Sequence, residues 1–249
     1  MEFSEQALIL QVGRFKEADL WIRFLSPSRG ILSAFAFGGS RSRRRFPGCL
    51  DVFNEVLVKA RSSRQGAYLA LQEGVLLRGS RRLRADWARF GLAANCAKFL
   101  QCFGVGSEGA DKVHLVMRQL LQLLEEVEAV SPYVPFLFRA RVAFDQGYAL
   151  SPETCAGCGC SLADRGARFS IEEGRLFCPS CAPRLIFGRL MNLGPAALAL
   201  LAAVQQRAPG EWIDPACPER DLADCSRALD AFVCRHVGLT WEKGRFARV

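Results

Sequence analysis

A chain of 249 residues, half of them hydrophobic and 23% charged, carries too much apolar material for a disordered tail and enough to bury a core. Its 33 basic against 25 acidic residues give a net charge of +8, which favours an anionic partner such as nucleic acid or a membrane surface. Eleven cysteines, an odd number in a large chain without an export signal, exclude a secreted disulfide scaffold. The N-terminus carries Glu2 and Glu5 where a signal peptide is basic. The longest apolar stretch, LGPAALALLAAV at 193–204, is too short to span a bilayer, so a cytoplasmic protein with no membrane partner is expected.

The first eighty residues read as strands. ALILQVGR, DLWIRFLS, ILSAFAFG, VFNEVLVKA and AYLALQEGVLL are five runs of aliphatic, aromatic and β-branched residues, separated by turn signals at 15–18, 27–30 and 62–66 and by the loop GGSRSRRRFPG. Five short antiparallel strands of this size close best into a small OB-type barrel. Within the loop, Arg41, Arg43, Arg44 and Arg45 fall inside five positions with no acid among them. Phe35 and Phe37 share one face of the third strand and are expected in the barrel core. Trp21 and Tyr68 are open between core and surface.

From Arg81 the character turns helical. The segment 83–103 is alanine-rich and apolar nearly all round, which predicts a buried helix. The segment 112–130 puts Val113, Met117, Leu120, Leu124 and Val127 on one stripe. Further helices are expected over 134–146, 195–206 and 221–238, with turn chemistry in an acidic linker at 212–221. The fold class is therefore α+β: a five-stranded OB-type barrel over 1–80, then an α-helical domain over 81–249 into which a cysteine segment is inserted at about 152–184.

That segment contains CAGCGC (155–160) and CPSC (178–181). Two C-x-x-C pairs, Cys155/Cys158 and Cys178/Cys181, stand 19 residues apart, a spacing typical of four-thiolate zinc sites. Four thiolates leave no open coordination position, so the expected Zn2+ is structural and Cys160 is the surplus thiol. Phosphate-loop, dinucleotide, metalloprotease and nucleophile-elbow motifs are absent, and the two histidines, His114 and His236, lie in helical stretches. The expectation is a binding protein and not an enzyme.

These pieces together resemble one family. FRARVAFDQGYALSPETCAGCG followed by FSIEEGRLFCPSC, the basic N-terminal barrel with its glycine- and arginine-rich loop, and the C-terminal RHVG are similar to the bacterial RecO recombination mediators. The resemblance implies binding to single- and double-stranded DNA and annealing of complementary strands. It also implies action with RecR to help RecA replace the single-strand binding protein SSB, whose C-terminal tail the helical domain contacts. It places the protein in the cytoplasm, at the nucleoid. Arg41, Arg43, Arg44 and Arg45 then read as a phosphate clamp on the barrel rim, extended by Arg14, Arg23 and Arg29. Arg78, Arg81, Arg82 and Arg84 form a second basic run that is equally a solvated helix start. Arg118, Arg139 and Arg141 are the candidate cations for the tail. A different class, an RNA-binding or transcription-associated protein with an OB barrel and a zinc ribbon, fits the same features.

Overall fold

The structure, a computed structural model, describes residues 2–184, 188–213 and 217–248; residues 214–216 of the expected acidic linker lie outside the described residues. Five strands, β1 (Glu2–Arg14), β2 (Leu20–Ser26), β3 (Gly30–Ala36), β4 (Glu55–Ser62) and β5 (Leu69–Arg78), close a barrel in the order β1-β2-β3-β5-β4. Every pairing is antiparallel except β3 with β5, which runs parallel through Ala34–Leu69 and Phe35–Ala70. This is the OB-type arrangement. β1 serves two neighbours, pairing β4 along Glu2–Leu8 and β2 along Leu8–Arg14, and an irregularity in register between Ile9 and Gln11 turns it from one to the other.

Alternation sorts the strand residues. Leu20, Ile22 and Phe24 of β2 and Ala34 and Ala36 of β3 point into the barrel. Phe46, only 3% exposed, plugs the same core from the arginine loop, together with Cys49 and Leu50.

The helices are α1 (Arg81–Ala85), α2 (Trp87–Phe103), α3 (Ala110–Glu126), α4 (Val134–Ala143), α5 (Pro195–Gln206) and α6 (Glu219–Val237). The single helix expected over 83–103 breaks at Asp86. That residue takes an extended backbone, and its carboxylate accepts the N–H groups of Ala88 (2.9 Å) and Arg89 (3.2 Å), so it caps α2. On α3 the predicted stripe of Val113, Met117, Leu120 and Leu124 is buried, while Val127 lies just beyond the helix end.

Strands give way to helices at residue 80, but the compact units are drawn differently. One comprises Met1–Phe90 with Gly104–Val127, the other Gly91–Phe103 with Glu128–Val249. In the first, α3 packs against β2 and β3. In the second, α4, α5 and α6 pack on one another. The second also holds a small sheet of order β7-β6-β8, built from β6 (Ala167–Ser170), β7 (Arg175–Phe177) and β8 (Leu190–Leu193), and a hairpin of β9 (Leu239–Glu242) with β10 (Arg245–Arg248). Among the described residues no helix is long and apolar enough to cross a membrane.

Candidate nucleic-acid interface and metal centre

The arginine loop is braced rather than loose. Gly38 N–H donates to Asp19 Oδ1 (2.7 Å), Ser40 N–H to Ala18 O (3.1 Å), and Gly74 N–H of β5 to Arg45 O (2.8 Å). With Phe46 in the core, the chain between these ties has little freedom, and Arg41, Arg43, Arg44 and Arg45 are all held out to solvent. Their partners differ. Arg41 lies 3.9 Å from Glu17 with both side chains exposed, a weak pair in water. The Arg45 guanidinium donates to Phe37 O and lies over the Phe46 ring at 5.1 Å. Arg43 and Arg44 have no side-chain partner among the described residues.

The other predicted arginines are dispersed. Arg23 of β2 donates from Nε to Ser33 Oγ across the β2–β3 pair (3.3 Å). Arg29 sits in the turn at the opposite end of β3 from the arginine loop, 3.6 Å from Glu5 and over the Phe3 ring at 4.4 Å. In the second run, Arg78 pairs with Glu126 (2.6 Å), Arg82 donates to Glu126 O (3.2 Å) and Arg84 donates to Asn54 Oδ1 (2.9 Å). Arg81 is exposed. Glu125 accepts the N–H groups of Arg82 and Leu83 at 2.9 Å, as a carboxylate does at a helix start. Arg118 lies 3.8 Å from Glu55. Arg139 is 2% exposed and bonded to Asp230 (2.7 Å) and Asn95 (3.0 Å), and Arg141 is bonded to Asp145 (2.9 Å).

One expectation is overturned. Because Ala34 and Ala36 take the inward positions of β3, Phe35 and Phe37 fall on the outer face. Phe37 is 38% exposed, and Phe15 and Tyr68 beside it are 52% and 44% exposed. The small inward alanines were the sign in the sequence that the phenylalanines face out.

The cysteines converge in the second unit. Cys155 N–H donates to Cys160 O and Gly159 N–H to Cys155 O, both at 2.9 Å, so residues 155–160 close into a tight turn. Gly159 supplies the φ of +72° that turn requires. Cys181 N–H donates to Cys178 O (3.0 Å) in a second turn, and Ala156 N–H to Leu176 O (2.8 Å) ties the two together. The sulfurs of Cys155, Cys158, Cys160 and Cys178 all lie within 4.8 Å of one another.

The residues fit a metal. The Cys158 and Cys178 sulfurs are 3.8 Å apart, and Zn–S bonds of about 2.3 Å in a tetrahedron set sulfurs about 3.8 Å apart. Burial works against ionising Cys155, yet N–H donation from Cys178, Cys158 and Gly157 holds its thiol down to about 6. Donation from Cys181 N–H likewise lowers Cys178. Cys160 is pushed up to about 12 by its hydrogen bond to Cys158 and by burial, and Cys181 to about 12 by bonds to Cys158 and Cys178. An all-sulfur set of this kind suits a soft or borderline cation. This four-cysteine group can hold a metal ion. Spacing named Cys181 as the fourth ligand; the mutually close quartet contains Cys160, and Cys181 bonds to the same Cys158 and Cys178. Counting C-x-x-C pairs passes over Cys160, which enters the cluster through its backbone bond to Cys155.

Of the six scattered cysteines whose apolar or helical surroundings suggest small buried thiols, Cys49, Cys96 and Cys225 are buried, and burial raises all three thiols, while Cys102, Cys217 and Cys234 are only half-buried.

Comparison with known proteins gives the class. The family model described as "Recombination protein O N terminal" matches residues 1–79, and "Recombination protein O C terminal" matches 84–245. The chain is 50% identical over 251 residues to the DNA repair protein RecO of Oleidesulfovibrio alaskensis and 48% identical over 253 residues to that of Nitratidesulfovibrio vulgaris, covering 100% of each chain in both cases. It is 27% identical to the DNA repair protein RecO of Anaeromyxobacter dehalogenans over 242 residues, 96% of this chain and 93% of that one. The chain belongs to the RecO family of recombination and DNA repair proteins.

Proposed function

We propose that the barrel binds DNA, single- and double-stranded, and anneals complementary strands. With RecR it helps load RecA onto DNA coated by SSB. The observation that carries this reading is the set of four outward arginines on a loop braced to a closed OB-type barrel, in a chain of the RecO family. Phosphates at regular spacing answer to such a row of guanidinium groups, and a rigid loop spares the cost of ordering them on binding. Arg43 and Arg44 carry the most of it, because Arg45 is bonded to Phe37 O and Arg41 has Glu17 beside it. Arg23, Arg29, Arg81 and Arg82 lie apart from the loop and contribute less.

The cysteine segment binds one structural Zn2+ through Cys155, Cys158 and Cys178, with Cys181 as the fourth ligand and Cys160 beside it as a reserve. The metal's contribution is to fix two turns that the short β6–β7 hairpin holds together. In the second unit a contact with the SSB tail does not rest on Arg139 or Arg141, whose guanidinium groups are bonded internally.

The test compares three ligands on the intact protein at one salt concentration: a single-stranded DNA oligomer, an RNA of the same sequence, and an SSB tail peptide. Tight binding to DNA that weakens steeply with salt, with separate binding of the peptide, is the expected result. Preference for RNA with no peptide binding would replace this reading.

A further inference from the structure

Four aromatic rings form a cluster on the outside of the barrel, and none belongs to its core. Phe35 is the hub. Phe37 lies nearly parallel to it, 6.0 Å away at 21°, and Tyr68 stands close to perpendicular to both, at 87° and 74°. Phe15 leans on Phe35 from the β1–β2 turn, with centroids 4.8 Å apart. Exposed rings forgo the gain of burial, and a patch of them on one face marks a contact surface.

The charges around the rings name the occupant. The two segments that carry Phe15 and Phe37, residues 14–19 and 37–46, hold six basic side chains against two acidic ones, Glu17 and Asp19. Lys16 Nζ lies 5.7 Å from the Phe15 ring, and Arg45 is bonded to the backbone of Phe37. An apolar protein partner has no use for that density of cations. A duplex has no use for the rings, since its bases already stack on each other. A single strand uses both, its phosphates meeting cations and its bases meeting rings.

We propose that Phe15, Phe37 and Tyr68, backed by Phe35, are a stacking platform for the unpaired bases of a single strand whose phosphates follow the Arg41–Arg45 loop. Phe35 and Phe37 present neighbouring, nearly parallel faces, and Tyr68 forms a side wall. The proposal rests on the nucleic-acid reading above and deepens it: the platform makes the site prefer unpaired strands and tolerate any sequence, because every base has a π-face.

The test uses the intact protein with a dT oligomer, an abasic oligomer of the same length, and a duplex. The abasic strand keeps every phosphate and lacks the bases. Wild-type protein should bind dT roughly five-fold or more tighter than the abasic strand. The variant Phe15→Leu/Phe37→Leu/Tyr68→Leu, which keeps apolar bulk outside the core, should lose that preference while its affinity for the abasic strand and its salt slope stay put. The variant Phe15→Tyr/Phe37→Tyr/Tyr68→Phe should keep the preference, which controls for folding. The platform is overturned if wild type binds dT and abasic strands equally, or if the leucine variant keeps the preference or loses duplex binding to the same degree. In those cases a salt-sensitive affinity leaves the DNA reading standing. No binding to any strand at low salt removes both.

Discussion

The barrel rim and the cysteine segment both bring like groups together, four guanidinium groups in one case and five thiols in the other, yet they hold them by opposite means. At the rim the backbone is tied down and the side chains are left out: Phe46 is sealed in the core, Gly38 and Gly74 bond the loop to its neighbours, and Arg43 and Arg44 project into water. In the cysteine segment the side chains themselves are turned toward one another, with Cys155 and Cys178 buried, Cys158 exposed, and backbone N–H groups aimed at the Cys155 sulfur. Mutual repulsion at the rim is relieved by solvent, and in the reading proposed above by an anionic partner. Crowded thiols in a folded turn are relieved, in the same reading, by a cation. On that reading one region meets a partner and the other is part of the fold.

The largest effect should therefore come from the metal. Replacing Cys178 with alanine, or stripping the protein with a strong chelator, should release one zinc per chain and make the region 152–184 protease-sensitive, since structural zinc supplies an apparent site free energy of roughly 10–16 kcal/mol. Metal analysis with limited proteolysis reads this out. Protein that is metal-free as purified and still melts cooperatively would erase the contrast between the two regions. The five-thiol arrangement sharpens it. Cys160→Ala should keep full metal content, and Cys181→Ala should keep metal more weakly because the Cys160 sulfur is within reach of the remaining set. Cys160→Ala/Cys181→Ala should lose it. Metal lost from Cys160→Ala alone would make Cys160 the resident ligand.

How far each region was legible in the sequence follows from the same contrast. C-x-x-C spacing is a local property, because a two-residue turn fixes where both sulfurs go, so the cysteine cluster could be read directly. Which of Cys160 and Cys181 completes it depends on how the two turns meet, and spacing carries no such information. The barrel and the order of its strands were visible from runs of apolar residues between turn signals, but not every limit: β1 begins at Glu2, ahead of the apolar run that starts at Ala7, and β4 at Glu55, inside the run read from Val52. The direction of Phe35 and Phe37 was not, since both faces of that strand carry apolar residues and only the size of Ala34 and Ala36 distinguishes them. Asp86 as a cap was hidden in an otherwise helical run. The internal bonding of Arg139 to Asp230, 91 residues away in sequence, had no local sign.

At the rim the effect should be on affinity and leave the fold intact. Changing Arg41, Arg43, Arg44 and Arg45 together to alanine should flatten the slope of log K against log salt for a single strand by at most about 3, the value for four phosphates each left without its arginine at about 0.7. The internal bonds of Arg45 and the pairing of Arg41 with Glu17 bring the total below that ceiling. Arg43→Ala/Arg44→Ala should account for about 1.4 of it, and a pair of changes at Arg41 and Arg45 for less. Equal loss from the two pairs would mean that the Phe37 and Glu17 interactions open when DNA binds. An unchanged slope in the folded quadruple variant would move the phosphate-binding role to another surface.

The smallest effect concerns acid. The barrel unit carries a buried histidine, His114 on α3, whose Nε2 has no hydrogen-bond partner among the described residues. Burial, helped by the positive charge of Arg118 and opposed by Glu5, lowers its pKa from 6.5 to about 4. Well above pH 6.5 the ring is neutral in both folded and unfolded chains and adds almost no pH dependence. Between 6.5 and 4 the unfolded chain takes up a proton that the folded chain refuses, so stability falls as pH falls, by about 1.4 kcal/mol at pH 5.5. With the proposed metal bound, thiolate–metal bonds would also yield to acid, since protons compete for the ligands, and the wild-type profile alone would mix the two regions. The difference between wild type and His114→Leu isolates the barrel unit. It should be constant above pH 7 and shift by about 1.4 kcal/mol in favour of the variant at pH 5.5 in denaturant titrations. Parallel profiles would show that His114 takes up its proton in the folded protein as readily as in the unfolded one, and would assign the acid sensitivity of the whole chain to its cysteines and carboxylates.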